Sequence, residues 1–427
     1  MKFNLHSLSS YQKLFLKEFS AQLIEKVIRI IVGVFVIREL SKYLGVEQFG
    51  TFNFVESYFL IIMALSLFGL DVIMVRQLEG NKRYEKALGN GIFILLFTSL
   101  LFIAISILLG RVFVSTDNYN NILIVSLGLV FSPLIVFESY YISLNKIRIT
   151  SFFKTISYLI KSILIIYFIS EKYDFEYFIF LIISEYLLSG IFIFLFFIKE
   201  QNKISFKIDL SLIKQILGSS FYIFIYGIGA LIFFRVDVFM IENFLSNYEM
   251  GIYTAAFKVL IFLYFIPNLI AQTFFPRIIK IFKSGKLELK PLKKMYQLTF
   301  ISGLITFLFI VLFGDFIINF LFGNDFEESK IILKVLSFNI IFISIGSIYT
   351  KVIYSSNMEK RLFLRVIISL IINIILNILL IPYFQLLGVA ISTIVSLFFL
   401  EIIYDFFDKK LISLHVFKLK SILNISK

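Results

Sequence analysis

Residues 88–109 read LGNGIFILLFTSLLFIAISILL, a run without a single charged side chain. A helix of this length rises far enough to cross the ~30 Å hydrocarbon layer of a bilayer. The run is continuous and does not alternate, and a lone strand in lipid would leave its backbone polar groups unpaired. A transmembrane helix is therefore the reading, with Lys82, Arg83 and Lys86 before it and Arg111 after it. Working outward, the same texture recurs at 19–37, 53–75, 121–142, 151–170, 177–198, 215–234, 250–275, 298–321, 331–350, 363–383 and 386–404. The composition agrees: 59% hydrophobic residues, 16% charged residues and a mean hydropathy of +0.94 lie outside the range of water-soluble domains. The predicted fold class is an all-α polytopic membrane protein with twelve transmembrane helices.

The connecting segments alternate in charge. The two termini and every second loop (76–87, 143–150, 199–214, 276–297 and 351–362) are rich in Lys and Arg. The loops between them are neutral or acidic, as in Glu171, Asp174 and Glu176 against Lys172, or Asp325, Glu327 and Glu328 against Lys330. Soluble proteins have no reason to sort charge by loop parity, whereas membrane insertion keeps Lys/Arg-rich loops on the cytoplasmic side. The expected location is the bacterial cytoplasmic (inner) membrane, multi-pass, with both termini in the cytoplasm. The net charge of +13 is then mostly topological, and a nucleic-acid partner is not expected, because the basic residues border spans and form no basic face. Lys2, Lys13 and Lys17 precede a first span that contains Glu25, Lys26 and Arg29 and lacks a small-residue cleavage site, so it is expected to remain as an anchor.

Several chemistries are missing. There is no Cys and no Trp, and the two histidines, His6 and His415, both fall in the terminal segments. No Ser-His or Cys-His arrangement and no His-based metal site is expected within the bundle, and no cofactor is implied. GVEQFGT (45–51) has the glycines of a phosphate loop without its lysine. The gaps between spans reach only about 22 residues, too short for a soluble ATPase domain. The chain reads as a non-enzyme whose work is driven by an ion gradient, the membrane potential or the substrate gradient. The basic segment after Pro276 (Arg277, Lys280, Lys283, Lys286, Lys290, Lys293 and Lys294) is expected to lie on the anionic inner leaflet as a short amphipathic helix, and the tail 409–427 reads similarly.

A weak internal repeat appears at an offset of 201: Leu44 and Leu245, Gly50 and Gly251, Phe52 and Tyr253, Arg76 and Arg277. Each Gly opens the second span of a six-span half. An even number of spans separates the copies, so the halves share one orientation, as parallel repeats around a central cavity do. The expected division is an N-terminal six-helix lobe at 1–205, a C-terminal six-helix lobe at 206–408 and the basic tail at 409–427.

Charges inside spans are costly and mark cavities or partners. Glu25 and Arg29 are one helical turn apart and can pair. Lys161, Glu185 and Lys258 lie in spans five, six and eight, Asp71 and Glu138 near the cytoplasmic ends of spans two and four, and Arg235 and Asp237 at the outer end of span seven. Asp71 has a competing explanation in a pair with Arg76. Lys334 reaches an interface by snorkelling, and hydration near an interface accounts equally well for Glu56 and Glu401. Lys161 and Lys258 have no acidic partner one turn away on their own helices. Two cations in different halves suit an anionic ligand such as a pyrophosphate. Gln272, Asn339, Asn373 and Asn377 are candidates for interhelical hydrogen bonds.

The stretch RVDVFMIENFLSNYEMGIYTAAFKV (235–259) resembles the Wzx-type O-antigen and capsule flippases of the MOP exporter superfamily. LGVEQFGTFNF (44–54), FGLDVIMVR (68–76) and NIILNILLIPYFQLLGVAISTIVS (373–396) resemble the same family's early outer loop, second-span exit and last two spans. The resemblance implies two six-helix lobes around a cationic cavity in a MOP/MATE-like fold. It also implies movement of undecaprenyl-pyrophosphate-linked oligosaccharide between leaflets, with H+ or Na+ as coupling ion and a glycan polymerase and chain-length protein as partners. By motif, Asp237, Lys258, Asp71 and Arg76 carry over, whereas Glu25, Arg29, Lys161 and Glu185 rest on membrane depth alone. The expected cationic substrate set is Lys258, Lys161, Arg29 and Arg235. The expected intramembrane acidic set is Asp237, Asp71, Glu138, Glu185 and Glu25. The competing classes are a multidrug or organic-cation exporter, which wants carboxylates and aromatics, and a membrane-embedded glycan polymerase or ligase, which wants a large outer catalytic loop.

Overall fold

A computed structural model describes residues 10–79, 84–113, 116–283, 289–356 and 358–423, and among them every regular element is a helix. The expected first two spans form one element, α1 (Ser10–Leu67), too long for one crossing. Fifty-eight helical residues would extend ~87 Å against a ~30 Å apolar layer. The chain breaks at Gly45, whose φ of 68° and ψ of −179° belong to a region open essentially only to glycine. The last two spans behave alike within α14 (Glu359–Phe398), where Gln385 takes φ 49°, ψ −128°. There the chain reverses so sharply that a Cβ on Gly388 would sit 2.7 Å from the Leu380 carbonyl. By length and hydropathy eight described helices can cross a membrane, or nine with the pair bent by 40° at Phe68–Gly69. Two of these nine, Ser20–Leu67 and Lys360–Phe407, hold two of the expected spans each, and α8 (Leu210–Phe233) covers the seventh. All twelve expected spans thus fall on described helices.

The chain divides into two compact units, residues 1–44 with 55–228, and residues 45–54 with 229–427. The main break, between 228 and 229, falls inside α8, 23 residues after the expected 205/206 boundary. In the first unit α2 (Leu70–Leu78), α3 (Tyr84–Phe113), α5 (Ile135–Ser143), α7 (Phe175–Lys199) and α8 enclose Leu70, Met74, Leu95, Val136, Phe137, Tyr141, Phe197 and Ile216. Lipid gives helices no hydrophobic reason to associate, so small residues and hydroxyls make the contacts. Ser66, Ser99 and Ser132 form a buried hydroxyl trio with separations of 3.2, 3.4 and 2.6 Å. Between α4 (Thr116–Leu127) and α5 the span tightens into a 3₁₀ stretch, Gly128–Leu134, around Pro133, which cannot donate to an α-helical ladder. The segment leading to α8 is tied to α3: Ser205 N–H donates to Glu85 O at 3.0 Å, and Lys86 Nζ lies 2.7 Å from Asp209. That ammonium, with Ser211 and the Leu212 N–H, holds the half-buried Asp209 carboxyl below the usual carboxylate range.

In the second unit α9 (Val236–Phe244), α10 (Asn247–Lys283), α11 (Leu289–Leu321), α12 (Ser329–Leu336), α13 (Phe338–Ser355) and α14 pack together. Gly50 and Gly251 meet there reciprocally. A Cβ on Gly50 would lie 2.1 Å from Asn247 O, and one on Gly251 would lie 2.1 Å from Val46 O. Val46 and Asn247 are themselves 201 apart, so the sequence repeat is also a symmetric contact. The basic residues Arg277, Lys280 and Lys283 continue α10, and Lys290, Lys293 and Lys294 begin α11. They do not form the separate amphipathic helix expected there, and Lys286 lies outside the described residues. The tail also departs from expectation. Its helix α15 (Ile412–Ile422) buries His415, Lys418 and Ser421 against α11 and the 399–407 segment that follows α14, because its polar groups find acidic partners there.

Candidate functional site

The first unit gathers charges from three helices. Arg29 on α1 donates through Nε to Glu25 at 3.1 Å, the predicted one-turn pair, and through Nη1 to Glu185 of α7 at 2.5 Å. Lys161 on α6 (Ile147–Ser170) approaches the other oxygen of Glu185 at 3.6 Å. The Tyr158 ring underlies the Arg29 guanidinium at 4.8 Å, and its hydroxyl donates to Arg29 O at 3.2 Å. Four of the predicted site residues (Glu25, Arg29, Lys161 and Glu185) therefore form one cluster. The absence of an acidic partner on Lys161's own helix is made good from the neighbouring helix, which periodicity along a single helix cannot reveal. About two turns away along α6, Lys154 pairs with Glu138, a partner sequence reasoning missed. Both line a cleft with Met63, Ser132, Tyr186 and Ser189. Asp71 sits in the first turn of α2 with an exposed side chain, its backbone carbonyl accepting from Ser139 at 3.1 Å. The alternative pair with Arg76 is not among the described ion pairs.

In the second unit, Asp237 is 4% exposed. One carboxylate oxygen accepts from the hydroxyls of Tyr253 and Thr393, each at 2.6 Å, and the other from Asn377 Nδ2 at 3.2 Å. Asn377 also donates to Asn373 Oδ1 at 2.9 Å, while its own buried Oδ1 lacks a hydrogen-bond partner among the described residues. The site follows from the fold: the break after α8 starts α9 at Val236, and α9 packs on α14, which brings Asn373, Asn377 and Thr393 to one carboxylate. Arg235 immediately precedes α9, and Lys258 stands over the Phe49 ring at 5.8 Å. No group of three or more His, Cys, Asp or Glu side chains suited to a metal occurs among the described residues. The Asp237 cluster of carboxylate, hydroxyl and amide oxygens instead suits a proton or a hard monovalent cation.

A second polar cluster escaped the sequence reading. Arg365, 2% exposed, donates to Leu400 O at 2.7 Å and to Glu401 at 3.1 Å, and its Nε lies 3.2 Å from Asp405. His415 and Lys418 approach Asp405 at 3.2 and 3.7 Å. Glu401, expected to be hydrated near an interface, is 7% exposed with its carboxylate against Gly346. His415, placed by sequence in a terminal segment, is fully buried in this network. Arg365 sits in a strongly apolar run, where averaging over a window hides one charge.

Comparison with known proteins agrees with this architecture. Residues 15–282 match the family described as polysaccharide biosynthesis protein. The capsular polysaccharide biosynthesis protein CapF of Staphylococcus aureus is 29% identical over 174 residues, which span 40% of this chain and 44% of that relative. Among solved structures, the lipid II flippase MurJ in an inward closed conformation superposes with a TM-score of 0.74 at 19% identity, covering 96% of this chain and 90% of that one. An inward-facing multidrug resistance MATE transporter of the MOP superfamily gives 0.69 at 12% identity, covering 94% and 99%. The chain belongs to the polysaccharide biosynthesis protein family and has the fold of the MOP exporter superfamily.

Proposed function

We propose that this protein moves an undecaprenyl-pyrophosphate-linked oligosaccharide, an O-antigen or capsule repeat unit, from the inner to the outer leaflet of the bacterial cytoplasmic membrane. The family match over residues 15–282 carries the reading. The intramembrane cations Arg29, Lys161, Arg235 and Lys258 support it, because a cation in an apolar bundle is kept where it meets an anion. A guanidinium fork suits phosphate oxygens in particular. In this reading the glycan crosses through a water-filled lumen while the polyprenyl tail stays in the bilayer. Asp237 takes up the coupling ion, H+ or Na+, among the oxygens of Tyr253, Thr393 and Asn377. A glycan polymerase and a chain-length protein receive the product.

A multidrug exporter is the second reading, favoured by the likeness to the MATE transporter. Arg29 and Lys161 count against it, since they repel an organic cation. Complementation of a translocation-deficient strain separates the two. Lys258→Ala is expected to abolish surface glycan while the protein stays in the membrane at wild-type amount, and normal display would sink the assignment. Drug resistance without glycan rescue would favour the exporter. Asp237→Asn, assayed in proteoliposomes with Na+ and pH gradients applied separately, should lose the response to whichever ion drives transport.

A further inference from the structure

The Arg29–Lys161 site already holds an anion. Glu185 places one carboxylate oxygen 2.5 Å from Arg29 Nη1 and the other 3.6 Å from Lys161 Nζ, bridging cations that come from two different helices. Two oxygens of one phosphate group can span two cations in the same way. With Glu25 on the Nε edge of Arg29, the four ion-paired groups sum to zero, two cations and two carboxylates, and the Glu56 carboxylate is near enough to act on Tyr158. Neutrality is the inexpensive state for a polar cluster in an apolar bundle.

We propose that Glu185 is an internal counter-anion that occupies the phosphate subsite in the empty protein, and that a phosphate-bearing ligand gains Arg29 and Lys161 by displacing it. The inference rests on the flippase reading, which supplies the phosphate. The cluster is not sealed, because the side chains of Arg29, Lys161 and Glu185 retain 28%, 12% and 15% exposure. Arg29 stays in place when Glu185 leaves. Tyr158 lies under its guanidinium and bonds its carbonyl, and Glu25 holds its Nε. Departure of Glu185 leaves a net charge of +1 on the cluster, which an anion neutralises. The carboxylate therefore sets a threshold: a neutral or singly charged head group competes poorly with it, whereas a pyrophosphate with several negative oxygens competes well.

The test uses the full chain in phosphatidylcholine nanodiscs titrated calorimetrically with inorganic pyrophosphate. Glu185→Gln is expected to bind roughly ten-fold tighter than wild type, the order gained when one charge-assisted hydrogen bond no longer has to be broken. Glu185→Asp keeps the charge on a shorter arm and should gain clearly less than Glu185→Gln; a gain equal to that of Glu185→Gln would overturn the proposal by assigning the effect to packing. Adding Lys161→Ala to Glu185→Gln should remove the gain. Equal binding by wild type and Glu185→Gln overturns the counter-anion role and leaves the phosphate site standing. Absence of binding in both overturns the phosphate site itself. A gain seen only when phosphatidylglycerol is in the disc assigns the subsite to a bilayer head group and overturns displacement by a transported substrate.

Discussion

An ammonium shut away from water needs oxygens around it, and Lys418 finds them at the foot of the second unit. Its Nζ donates to Glu401 O at 2.6 Å and stands 3.9 Å from the Glu401 carboxylate and 3.7 Å from that of Asp405. The Tyr349 ring lies 4.0 Å away, Arg365 and His415 share the same acids, and Tyr296 of α11 is close enough to feel them. Burial pushes the Lys418 pKa down to about 8, with Glu401 and Asp405 opposing the fall and Arg365 assisting it. In the unfolded chain the group titrates near ~10.4. Between these values the unfolded state binds the extra proton, so stability rises with pH from about 8 upward. The apparent Tm of wild type in detergent should climb by on the order of 2 °C between pH 8 and pH 9.5. Lys418→Met should lack that increment, and an identical rise in both proteins would refute the assignment. At this scale the sequence was legible where chemistry repeats along one helix, as in Glu25 and Arg29. It was not legible where partners come from different helices. Glu185, Lys161, Lys154 and Glu138 pair only once α5, α6 and α7 are packed, and Arg365 finds Glu401 and Asp405 only after the chain has reversed at Gln385.

Helices in lipid associate by close approach, and the Gly50–Gly251 contact is a reciprocal one in the second unit. Either Cβ would enter the space of a backbone carbonyl at 2.1 Å, so a methyl group at either position forces the backbones apart. One separation relieves both clashes. Gly50→Ala and Gly251→Ala should therefore each destabilise by on the order of 2 kcal/mol, and the double variant by clearly less than the sum. Thermal unfolding of the four proteins in one detergent gives the cycle, and strict additivity would show that the two glycines act separately. The spans themselves were readable, because a run of twenty apolar residues has no other stable use. The break between the last two spans was readable to within a residue or so, at 384–385 against the observed Gln385. The break between the first two spans falls at Gly45, inside the 38–52 gap, but the helix running up to it on both sides was not readable from apolar length alone. The tail helix was misjudged for a physical reason: its lysines resemble a leaflet-binding face until Glu401 and Asp405 are placed opposite Lys418.

For the whole molecule, loop charge makes a claim about orientation that apolar length cannot make. Each Lys or Arg near an anionic inner leaflet is worth ~1 kcal/mol, so loops carrying three or four of them resist translocation together. The segment from Lys199 to Lys214 holds four such residues, whereas the loops carrying Glu176 and Glu327 are acidic. The absence of cysteine from the chain makes the claim directly measurable, because any cysteine introduced is the only one. Lys203→Cys and Lys410→Cys are expected to react with a membrane-impermeant maleimide only after the cells are permeabilised. Glu176→Cys and Glu327→Cys are expected to react in intact spheroplasts, and all four side chains are exposed in the fold. The reverse pattern would invert the protein in the membrane. It would also move the Lys154–Glu138 pair to the outer side. Lys203 and Glu176 reacting from the same side would deny that α7, the helix carrying Glu185, crosses the bilayer between them. The orientation and the path of the proposed substrate thus stand on one labelling pattern.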